Sequence, residues 1–406
     1  MILKPDCRHF PGDRPCRFNK ESGQMCAGCP HYATAGTRIL IIKLAALGDV
    51  LRTTVILPGL KAEFPDSTIT WLTAPGALDL LKGNPLIDEL WSLDAEAALR
   101  LAVREFDVVF SPDADPHAAT LAAAVKAPEK RGMVLHPRGH VTPANPEAAT
   151  WFEMGAFDQL KQANQRTYQE LIYHTLKLSY ARQEVLLVLK ESESAWATDF
   201  LAQQSEERDS RRPVAAYPRP SPPSQTEERV PEGRAGRHPG DTNAAAPLVG
   251  LNLGGGGRWK KKQWKAQHFA SFGRMLIGQV GARLLLIGGR QEAGLLAELQ
   301  AQLPAGVLSS GPDRSLRETA ALVGQCAVIV TGDSLALHIA SALRVPTVVL
   351  LGPTSAAELE MYGRGERIVA PIGCVNCYLT DCDVDPDCMQ LITPETVLAA
   401  VQRWLK

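Results

Sequence analysis

The stretch Thr331-Gly332-Asp333-Ser334-Leu335-Ala336-Leu337-His338 lies between two apolar runs, residues 327–330 and 347–351. This order predicts a buried strand, a turn, a helix that begins at Ser334 and a second buried strand. A serine at a helix start leaves backbone N–H groups pointing outward at the positive end of the helix dipole. Such a helix start can bind a phosphate or pyrophosphate group.

Two side chains near this helix start extend its chemistry. Asp333 precedes the helix and supplies a carboxylate that could accept hydrogen bonds from sugar hydroxyls. His338 lies one turn into the helix and supplies an imidazole. The alternative interpretation is a capped core helix with a buried histidine, because helix N-termini are common and only some of them bind anions.

Apolar strands alternate with amphipathic helices over residues 38–189 and again from residue 248 onward. This alternation predicts an α/β fold, in which two doubly wound domains with parallel sheets place a ligand cleft between them. The predicted elements include one helix from Asp49 to Glu63 and a strand from Glu184 to Leu189. The expected boundaries are 1–32 for a Cys-rich N-terminal extension, 33–202 for the first domain, 203–246 for a linker, 247–393 for the second domain and 394–406 for a C-terminal helix.

The segment 203–246 differs in composition from both domains. It is rich in proline and in charges of both signs, and it contains almost no large apolar residues. Such a segment cannot bury enough apolar surface to offset the entropy lost on ordering. We therefore expect a disordered linker that is dispensable for chemistry.

Composition narrows the class of protein. The chain has 406 residues, of which 45% are hydrophobic and 21% charged, as in ordinary globular proteins. Its formal net charge is −1, so no global basic field favours nucleic acid. No apolar run is long enough to span a membrane, and the N-terminus has no signal-peptide pattern. We expect a cytoplasmic protein, with peripheral attachment at the inner face of the cytoplasmic membrane left open.

A carboxylate follows the first predicted strand. Gly48 permits a tight turn, and Asp49 then lies at the helix entrance, at the cleft. The helix N-terminus favours the ionised form of Asp49, which could then take a proton from an attacking hydroxyl. The alternative role is that of a helix-capping aspartate. Asp113 and Asp115, after the fourth predicted strand of this domain, are the other candidate bases.

A glycine-rich basic loop follows the first strand of the second domain. The segment runs from Asn252 through four glycines to Arg258 and Lys262, and it does not fit the Walker A pattern. Glycines let a ligand approach the backbone closely, so a nucleotide phosphate is the expected guest. A solvated basic surface loop is the alternative. Glu292, at the end of another strand, is expected at the same sheet edge as Asp333.

The nine cysteines fall into two clusters and one isolated residue, Cys326, which is expected in the core. The N-terminal cluster comprises Cys7, Cys16, Cys26 and Cys29, and the C-terminal cluster comprises Cys374, Cys377, Cys382 and Cys388. Four thiolates can form a tetrahedral zinc site, and the N-terminal segment has no core of its own. We predict structural zinc there, with His9, His31 or Asp6 as possible replacement ligands. The C-terminal cluster could be a second zinc site or a thiol-lined loop at the cleft.

Five segments resemble glycosyltransferase family 9, the heptosyltransferases of lipopolysaccharide core assembly. In chain order they are RILIIKLAALGDVLRTT, LNLGGGGRWKKKQW, LLLIGGRQE, VTGDSLALHIASALRVPTVVLLGPT and CVNCYLTDCDVDPDCMQLITPETV. The resemblance covers about residue 38 to the C-terminus without the linker. It implies a GT-B fold, with an acceptor-binding N-terminal domain and a donor-binding C-terminal domain. It further implies inverting transfer of a heptose from an ADP-activated donor to a lipid-linked glycan, without a metal or cofactor in the chemistry.

The resemblance also assigns roles to residues. The family's catalytic base falls on Asp49 and its donor-phosphate lysine on Lys262, while its sugar- and phosphate-binding positions fall on Glu292, Asp333 and Ser334, and its histidine on His338. The predicted donor site further includes Asn252, Gly254, Gly255, Arg258 and Leu335.

Two positions depart from the family pattern. Ala45-Ala46 replaces a pair of small hydroxyl residues, and Leu335 replaces a glycine next to the expected pyrophosphate. Two other functions remain open at this point: another GT-B nucleotide-sugar enzyme of the epimerase kind, and a non-catalytic metal-binding interaction protein.

Overall fold

The computed structural model describes residues 2–209, 246–255 and 260–405. Two six-stranded sheets organise these residues. The strands of the first sheet are β1 Arg38–Ile42, β2 Thr68–Thr73, β3 Glu89–Ser92, β4 Val108–Ser111, β5 Glu129–Leu135 and β6 Val141–Pro143. The strands of the second sheet are β7 Leu248–Asn252, β8 Arg283–Ile287, β9 Leu308–Ser309, β10 Val328–Gly332, β11 Thr347–Leu351 and β12 Gly365–Val369.

Both sheets have the strand order of a doubly wound fold. The first has the order β3-β2-β1-β4-β5-β6 and the second β12-β11-β10-β7-β8-β9. Neighbouring strands are parallel throughout, except that β6 runs antiparallel to β5. In each sheet the order reverses at the first strand of the domain, β1 or β7, and that is where doubly wound folds bind ligands. The predicted α/β class with two such domains is confirmed.

Helices cover the faces of both sheets. Those up to the first undescribed segment are α1 Arg17–Ser22, α2 Leu47–Thr53, α3 Ile56–Glu63, α4 Leu78–Leu81, α5 Ala95–Val103, α6 Pro116–Ala124, α7 Ala148–Ala156, α8 Asp158–Ala163, α9 Tyr168–Thr175 and α10 Glu191–Asp209. Those of the second domain are α11 Ala266–Met275, α12 Ala293–Gln302, α13 Leu316–Gly324, α14 Leu335–Ala342, α15 Cys388–Leu391 and α16 Pro394–Trp404. Short turns of 3₁₀ helix lie at Pro75–Ala77, Lys260–Lys262 and Arg290–Glu292, and a π-helical turn at Leu276–Val280 extends α11.

The single helix predicted over Asp49 to Glu63 was wrong. The segment forms two helices, α2 and α3, that meet at Thr54 and Val55. Pro58 has no N–H to donate to the carbonyl four residues earlier, that of Thr54. That carbonyl instead accepts from the N–H of Leu57, at 3.1 Å, and the chain turns there.

The strand predicted over Glu184 to Leu189 was also wrong. This segment is extended but belongs to neither sheet. The N–H of Leu186 donates to the Thr54 hydroxyl at 2.8 Å, so a side chain replaces a strand partner. Val185 and Leu187 are buried in a cluster that contains residues of both domains, which makes the segment a packed crossing between them.

Helix α10 corrects the predicted linker boundary. It continues to Asp209, so the first seven residues of the expected linker, 203–209, belong to the helix. Ala197 and Leu201 pack with Leu248 and Leu285 of the second sheet, although the sequence had placed residues 191–202 in the first domain. Gln204 hydrogen-bonds the backbone of Ser309 in both directions, at 2.7 and 3.1 Å, and so covers edge strand β9. The remainder of the predicted linker, residues 210–245, lies outside the described residues.

The C-terminal helix begins as predicted. Thr393 is its N-cap, with its hydroxyl accepting from the N–H of Thr396 at 3.3 Å, and Pro394 occupies the first turn. Val397 and Val401 of α16 are fully buried against the second sheet. This helix therefore closes one face of the second domain.

Candidate active site

The carboxylate of Asp49 lies in the first turn of α2, directly after the turn that follows β1. Arg52, one turn on, donates to it at 2.8 Å. Burial opposes ionisation, but the charges of Arg52 and Lys43 outweigh burial and lower the pKa of Asp49. The side chain remains 37% exposed, so it is an accessible carboxylate at neutral pH.

An aromatic ring holds Arg52 in place. Its guanidinium lies 3.6 Å from the centroid of the Tyr168 ring. The Tyr168 hydroxyl is 2.6 Å from that of Thr53, which in turn donates to the carbonyl of Asp49 at 2.5 Å. A stacked cation is restrained in orientation, so Arg52 lowers the Asp49 pKa from a fixed position.

The two alternative carboxylates have other partners. Asp113 accepts a short hydrogen bond from buried Lys43 and a second, at 3.3 Å, from the N–H of Leu44. Asp113 thereby fixes the turn before Asp49. Asp115 caps α6 by accepting from the N–H groups of the helix's first turn. Neither lines the cavity described below.

On the second domain, Lys262 and Asp333 form an ion pair at 2.9 Å. Burial raises the pKa of Asp333, but Lys262 more than compensates, and the pKa falls to about 2. The carboxylate is therefore charged at any working pH, and it directs the ammonium of Lys262 toward the start of α14.

Ser334 occupies the N-cap position of α14, but its side chain does not cap the helix. Its hydroxyl instead lies 2.9 Å from that of Thr331 and accepts from the Asn252 amide at 3.1 Å. Asn252 also donates to the carbonyl of Gly254 at 2.9 Å. This network connects the ends of β7 and β10. It also keeps the Ser334 side chain turned away from the N–H groups in the first turn of α14.

Glu292 belongs to the 3₁₀ turn before α12 and accepts from the N–H of Gly289 at 2.9 Å. A Cβ atom built on Gly254 would lie 3.5 Å from its carboxylate, and one built on Gly255 would lie 3.3 Å from the backbone of Gln263. The glycine-rich loop therefore passes close to the Glu292 side chain and to the backbone of Gln263. Arg258 lies outside the described residues.

His338 brings the two domains into contact. It is 9% exposed, and a Cβ atom on Gly48 would lie only 2.8 Å from its ring. Burial, followed by the charge of Arg52, lowers the pKa of His338 to about 4. The imidazole is therefore neutral at pH 7, where it separates the starts of α2 and α14 without adding charge.

These groups surround one cavity of about 550 Å³ between the domains, the interdomain cavity. Its lining includes every described residue of the predicted catalytic and donor sites: Asp49, Asn252, Gly254, Gly255, Lys262, Glu292, Asp333, Ser334, Leu335 and His338. The volume suits a nucleotide-sized ligand.

A family model described as glycosyltransferase family 9 (heptosyltransferase) matches residues 97–386 of the 406. The chain belongs to glycosyltransferase family 9. It is 34% identical over 113 residues to lipopolysaccharide heptosyltransferase 2 of Salmonella typhimurium, a match that covers 27% of this chain and 32% of that protein. The chain thus spans about a third of this curated relative's length.

Solved structures resemble this family 9 chain over most of its length. The glycosyl transferase family 9 structure from Veillonella parvula has a TM-score of 0.69 at 19% identity and covers 91% of this chain and 97% of that one. The structure of E. coli ADP-heptose lps heptosyltransferase II has a TM-score of 0.60 at 18% identity, covering 91% and 98%. The predicted GT-B fold and the family resemblance are confirmed.

Several residues that line the interdomain cavity of this family 9 member were not predicted from its sequence. Arg52, Lys161, Glu358 and Tyr378 all line it. Lys161 lies 3.8 Å from the centroid of the Tyr378 ring, whose hydroxyl donates to Glu358 at 3.0 Å. Arg52 could have been found from its position one turn after Asp49. Tyr378 directly follows Cys377 in one of the family-like segments, but no role was predicted for it, and Lys161 and Glu358 lie in segments without a motif.

No cysteine of either cluster lines this cavity, although Tyr378, the residue after Cys377, does. Over residues 2–209, 246–255 and 260–405, no group of three or more His, Cys, Asp or Glu side chains has the arrangement of a metal site. Zinc at either cysteine cluster therefore stays a prediction. Among the helices of the described ranges, none has the length and apolar character needed to cross a bilayer.

Proposed function

We propose that this chain is an inverting glycosyltransferase that moves a heptose, or a similar sugar, from an ADP-activated donor to a lipopolysaccharide-core or related glycan acceptor. One observation carries the proposal. An accessible, ionised carboxylate on the first domain, Asp49, and a phosphate-binding set on the second, Lys262 with the start of α14, line the same cavity. An inverting displacement needs a base and a leaving-group site on opposite sides of the sugar.

We place the donor diphosphate at the start of α14. There the backbone N–H groups and the positive end of the helix dipole favour an anion, and Lys262 adds a charge-assisted donor. Leu335 has a side chain where the family pattern has glycine, but its backbone N–H is retained. Because these groups already supply positive charge to the leaving phosphate, the proposed chemistry needs no metal ion.

Hydroxyl groups of the donor have two carboxylates available. Glu292 lies in the 3₁₀ turn that follows β8, and Asp333 directly follows β10. Both carboxylates line the interdomain cavity, and a carboxylate can accept hydrogen bonds from hydroxyl groups. We assign them to the sugar and ribose hydroxyls of the donor.

The reaction then proceeds as a single displacement. The acceptor hydroxyl oxygen forms a bond to the anomeric carbon while the bond from that carbon to the phosphate oxygen breaks. The electron pair leaves with the nucleoside diphosphate, which Lys262 and the helix start stabilise. Asp49 takes the proton of the acceptor hydroxyl, and Arg52 keeps the carboxylate ionised until then.

We place the acceptor on the first domain, next to Asp49. The name of the E. coli structure, ADP-heptose lps heptosyltransferase II, supports a lipopolysaccharide-type acceptor and an ADP-heptose donor. A lipid-linked acceptor would bring the protein to the cytoplasmic face of the inner membrane, so we propose a cytoplasmic enzyme with peripheral membrane contact.

The test is product analysis with purified full-length protein, ADP-heptose and a panel of heptose-acceptor glycans. We expect a new glycosidic bond whose anomeric configuration, read by NMR, is opposite to that of the donor. Retention of configuration would overturn the inverting mechanism. Altered or hydrolysed donor without transfer to any acceptor would instead support the epimerase kind of enzyme, and absence of nucleotide binding would support a non-catalytic protein.

A further inference from the structure

The four N-terminal cysteines surround a second cavity, of about 540 Å³, inside the Cys-rich extension. Cys7 pairs with Thr34 in an isolated β-bridge, and Cys16 is the N-cap residue of α1. Cys26 and Cys29 flank a tight turn in which the N–H of Cys29 donates to the carbonyl of Cys26, at 3.4 Å. Four thiols from separate backbone features thus face one space.

The four cysteines line a space larger than a single zinc ion needs. Four thiolates on one zinc are all about 2.3 Å from the same point, so their sulfur atoms are about 3.8 Å apart. Within residues 2–209, 246–255 and 260–405, no three or more His, Cys, Asp or Glu side chains are arranged to hold a metal ion, so the choice between zinc and a cluster rests on the space between the four thiols. Sets of four thiolates select zinc or iron–sulfur clusters, and a cluster holds its four cysteines further apart than one ion does.

We propose that Cys7, Cys16, Cys26 and Cys29 bind a [4Fe–4S] cluster. The arrangement supplies one thiolate for each of four irons and a cavity between them for the inorganic core. The cavity is mainly apolar, with Phe10, Pro15 and Phe18 in its lining, and such a shell excludes water from a cluster.

Basic side chains around this cavity match the negative charge of a thiolate-bound cluster. Arg14 lines it, and Arg17 lies over the Phe18 ring, 4.5 Å from its centroid. Arg8 is held beside the same segment by Asp88, at 3.5 Å. These cations lower the free energy of the charged cluster relative to the same cluster in surroundings without charged side chains.

The position of the extension indicates a structural role. Its end attaches to the amino edge of the first sheet, where the Thr68 hydroxyl donates to the carbonyl of Ala35 at 2.5 Å. The interdomain cavity lies at the opposite, carboxyl edge of the strands. No side chain of residues 2–32 belongs to the buried hydrophobic core of the described chain, so the cluster would supply the stability that a small segment otherwise lacks.

The experiment uses the full-length chain, purified without oxygen from cells supplied with iron and, separately, with zinc. We expect about four irons and four acid-labile sulfides per chain, with broad visible absorbance that a reductant bleaches. The variant Cys26→Ser/Cys29→Ser should lose iron and sulfide together. The matched control, Cys374→Ser/Cys377→Ser, removes a pair with the same spacing from the C-terminal cluster and should keep them.

Three results would overturn the cluster. One equivalent of zinc without sulfide would restore a mononuclear site, and four freely reactive N-terminal thiols without metal would leave no site at all. Loss of iron in the control but not in the test variant would place the cluster at the C-terminal cysteines. Because the metal and sulfide content of the unsubstituted protein decides the first two results, unfolding of a variant would not obscure them.

Discussion

Asp49 on the first wall of the interdomain cavity and Asp333 on the second are each paired with one cation, at 2.8 and 2.9 Å. They differ in exposure, since Asp49 is 37% exposed and Asp333 only 20%. The partner of Asp49 is stacked on Tyr168, whereas the partner of Asp333 comes from the segment after the glycine loop. On the first wall, therefore, Arg52 lowers the pKa of an accessible carboxylate. On the second wall the carboxylate of Asp333 instead holds the ammonium of Lys262 in position.

From this difference we expect substitutions on the first wall to lower turnover and substitutions on the second to weaken donor binding. The predictions below test that division, the spacing between the two walls and the charge of the histidine between them, starting with the largest effect.

The substitution Asp49→Asn keeps the size of the side chain and removes its basicity. We expect kcat to fall by about 10²- to 10⁴-fold, the usual contribution of a general base, while donor affinity changes little. Steady-state kinetics and direct measurement of donor binding separate the two quantities. Asp115→Asn is the matched control, because asparagine caps a helix as well as aspartate does. Equal losses in the two variants would contradict the base assignment.

The substitution Gly48→Ala tests the spacing between the walls. The new methyl group would lie 2.8 Å from the ring of buried His338, so one helix start must move away from the other. A displacement of about 1 Å can cost about 100-fold in rate. We expect a loss of that order in kcat/KM for transfer. Gly76→Ala has open space around its Cβ position and should leave transfer unchanged; a normal Gly48→Ala enzyme would show that the walls need not approach so closely.

The substitution Lys262→Ala should act mainly on donor binding. A hydrogen bond to a charged group contributes about 1.5–3 kcal/mol, which corresponds to about a 10- to 100-fold weaker Kd for the nucleotide sugar. Added salt should mimic part of this loss in the unsubstituted protein. Lys265→Ala, which removes a cation paired with Asp387 at 3.1 Å, is the control from the same basic segment. Unchanged donor affinity in Lys262→Ala would remove the phosphate role.

The sequence predicted the positions of the cavity residues at strand ends better than it predicted their partners. Asp49 and Asp333 each follow an apolar strand, and parallel strands bring their carboxyl ends to one edge. The stacking of Arg52 on Tyr168 joins segments far apart in the chain, and no local pattern encodes it. The alternative of a helix capped by Ser334 is not found, because its hydroxyl hydrogen-bonds Asn252 and Thr331 instead.

Edge strands and the domain boundary were the least predictable parts of the fold. Strand β12 is half exposed and β9 has only two residues, so neither shows a buried apolar run. Charged residues begin β5, which hides its buried centre. The packing of α10 on the second sheet depends on tertiary contacts of Ala197 and Leu201, whereas composition alone placed the boundary at residue 203.

The smallest predicted effect concerns pH and the histidine between the walls. The pKa of His338 falls from an ordinary 6.5 to about 4 on folding, so the unfolded chain binds a proton there that the folded chain does not. A depressed histidine pKa therefore makes the folded state lose stability as pH falls through the window from 6.5 to about 4. Between pH 7 and pH 5 this amounts to about 2 kcal/mol in the free energy of unfolding.

The substitution His338→Gln removes the titrating group, so the difference in free energy of unfolding between pH 7 and pH 5 should shrink by about that 2 kcal/mol. Urea unfolding at the two pH values measures it. His117→Gln is the control, because its imidazole is 84% exposed, and it should keep the acid dependence of the parent. An unchanged pH dependence in His338→Gln would mean that the imidazole exchanges protons equally in both states. The His338 imidazole between the two walls would then carry a positive charge at acidic pH. The difference between the Asp49 and Asp333 walls would in that case apply only near neutral pH.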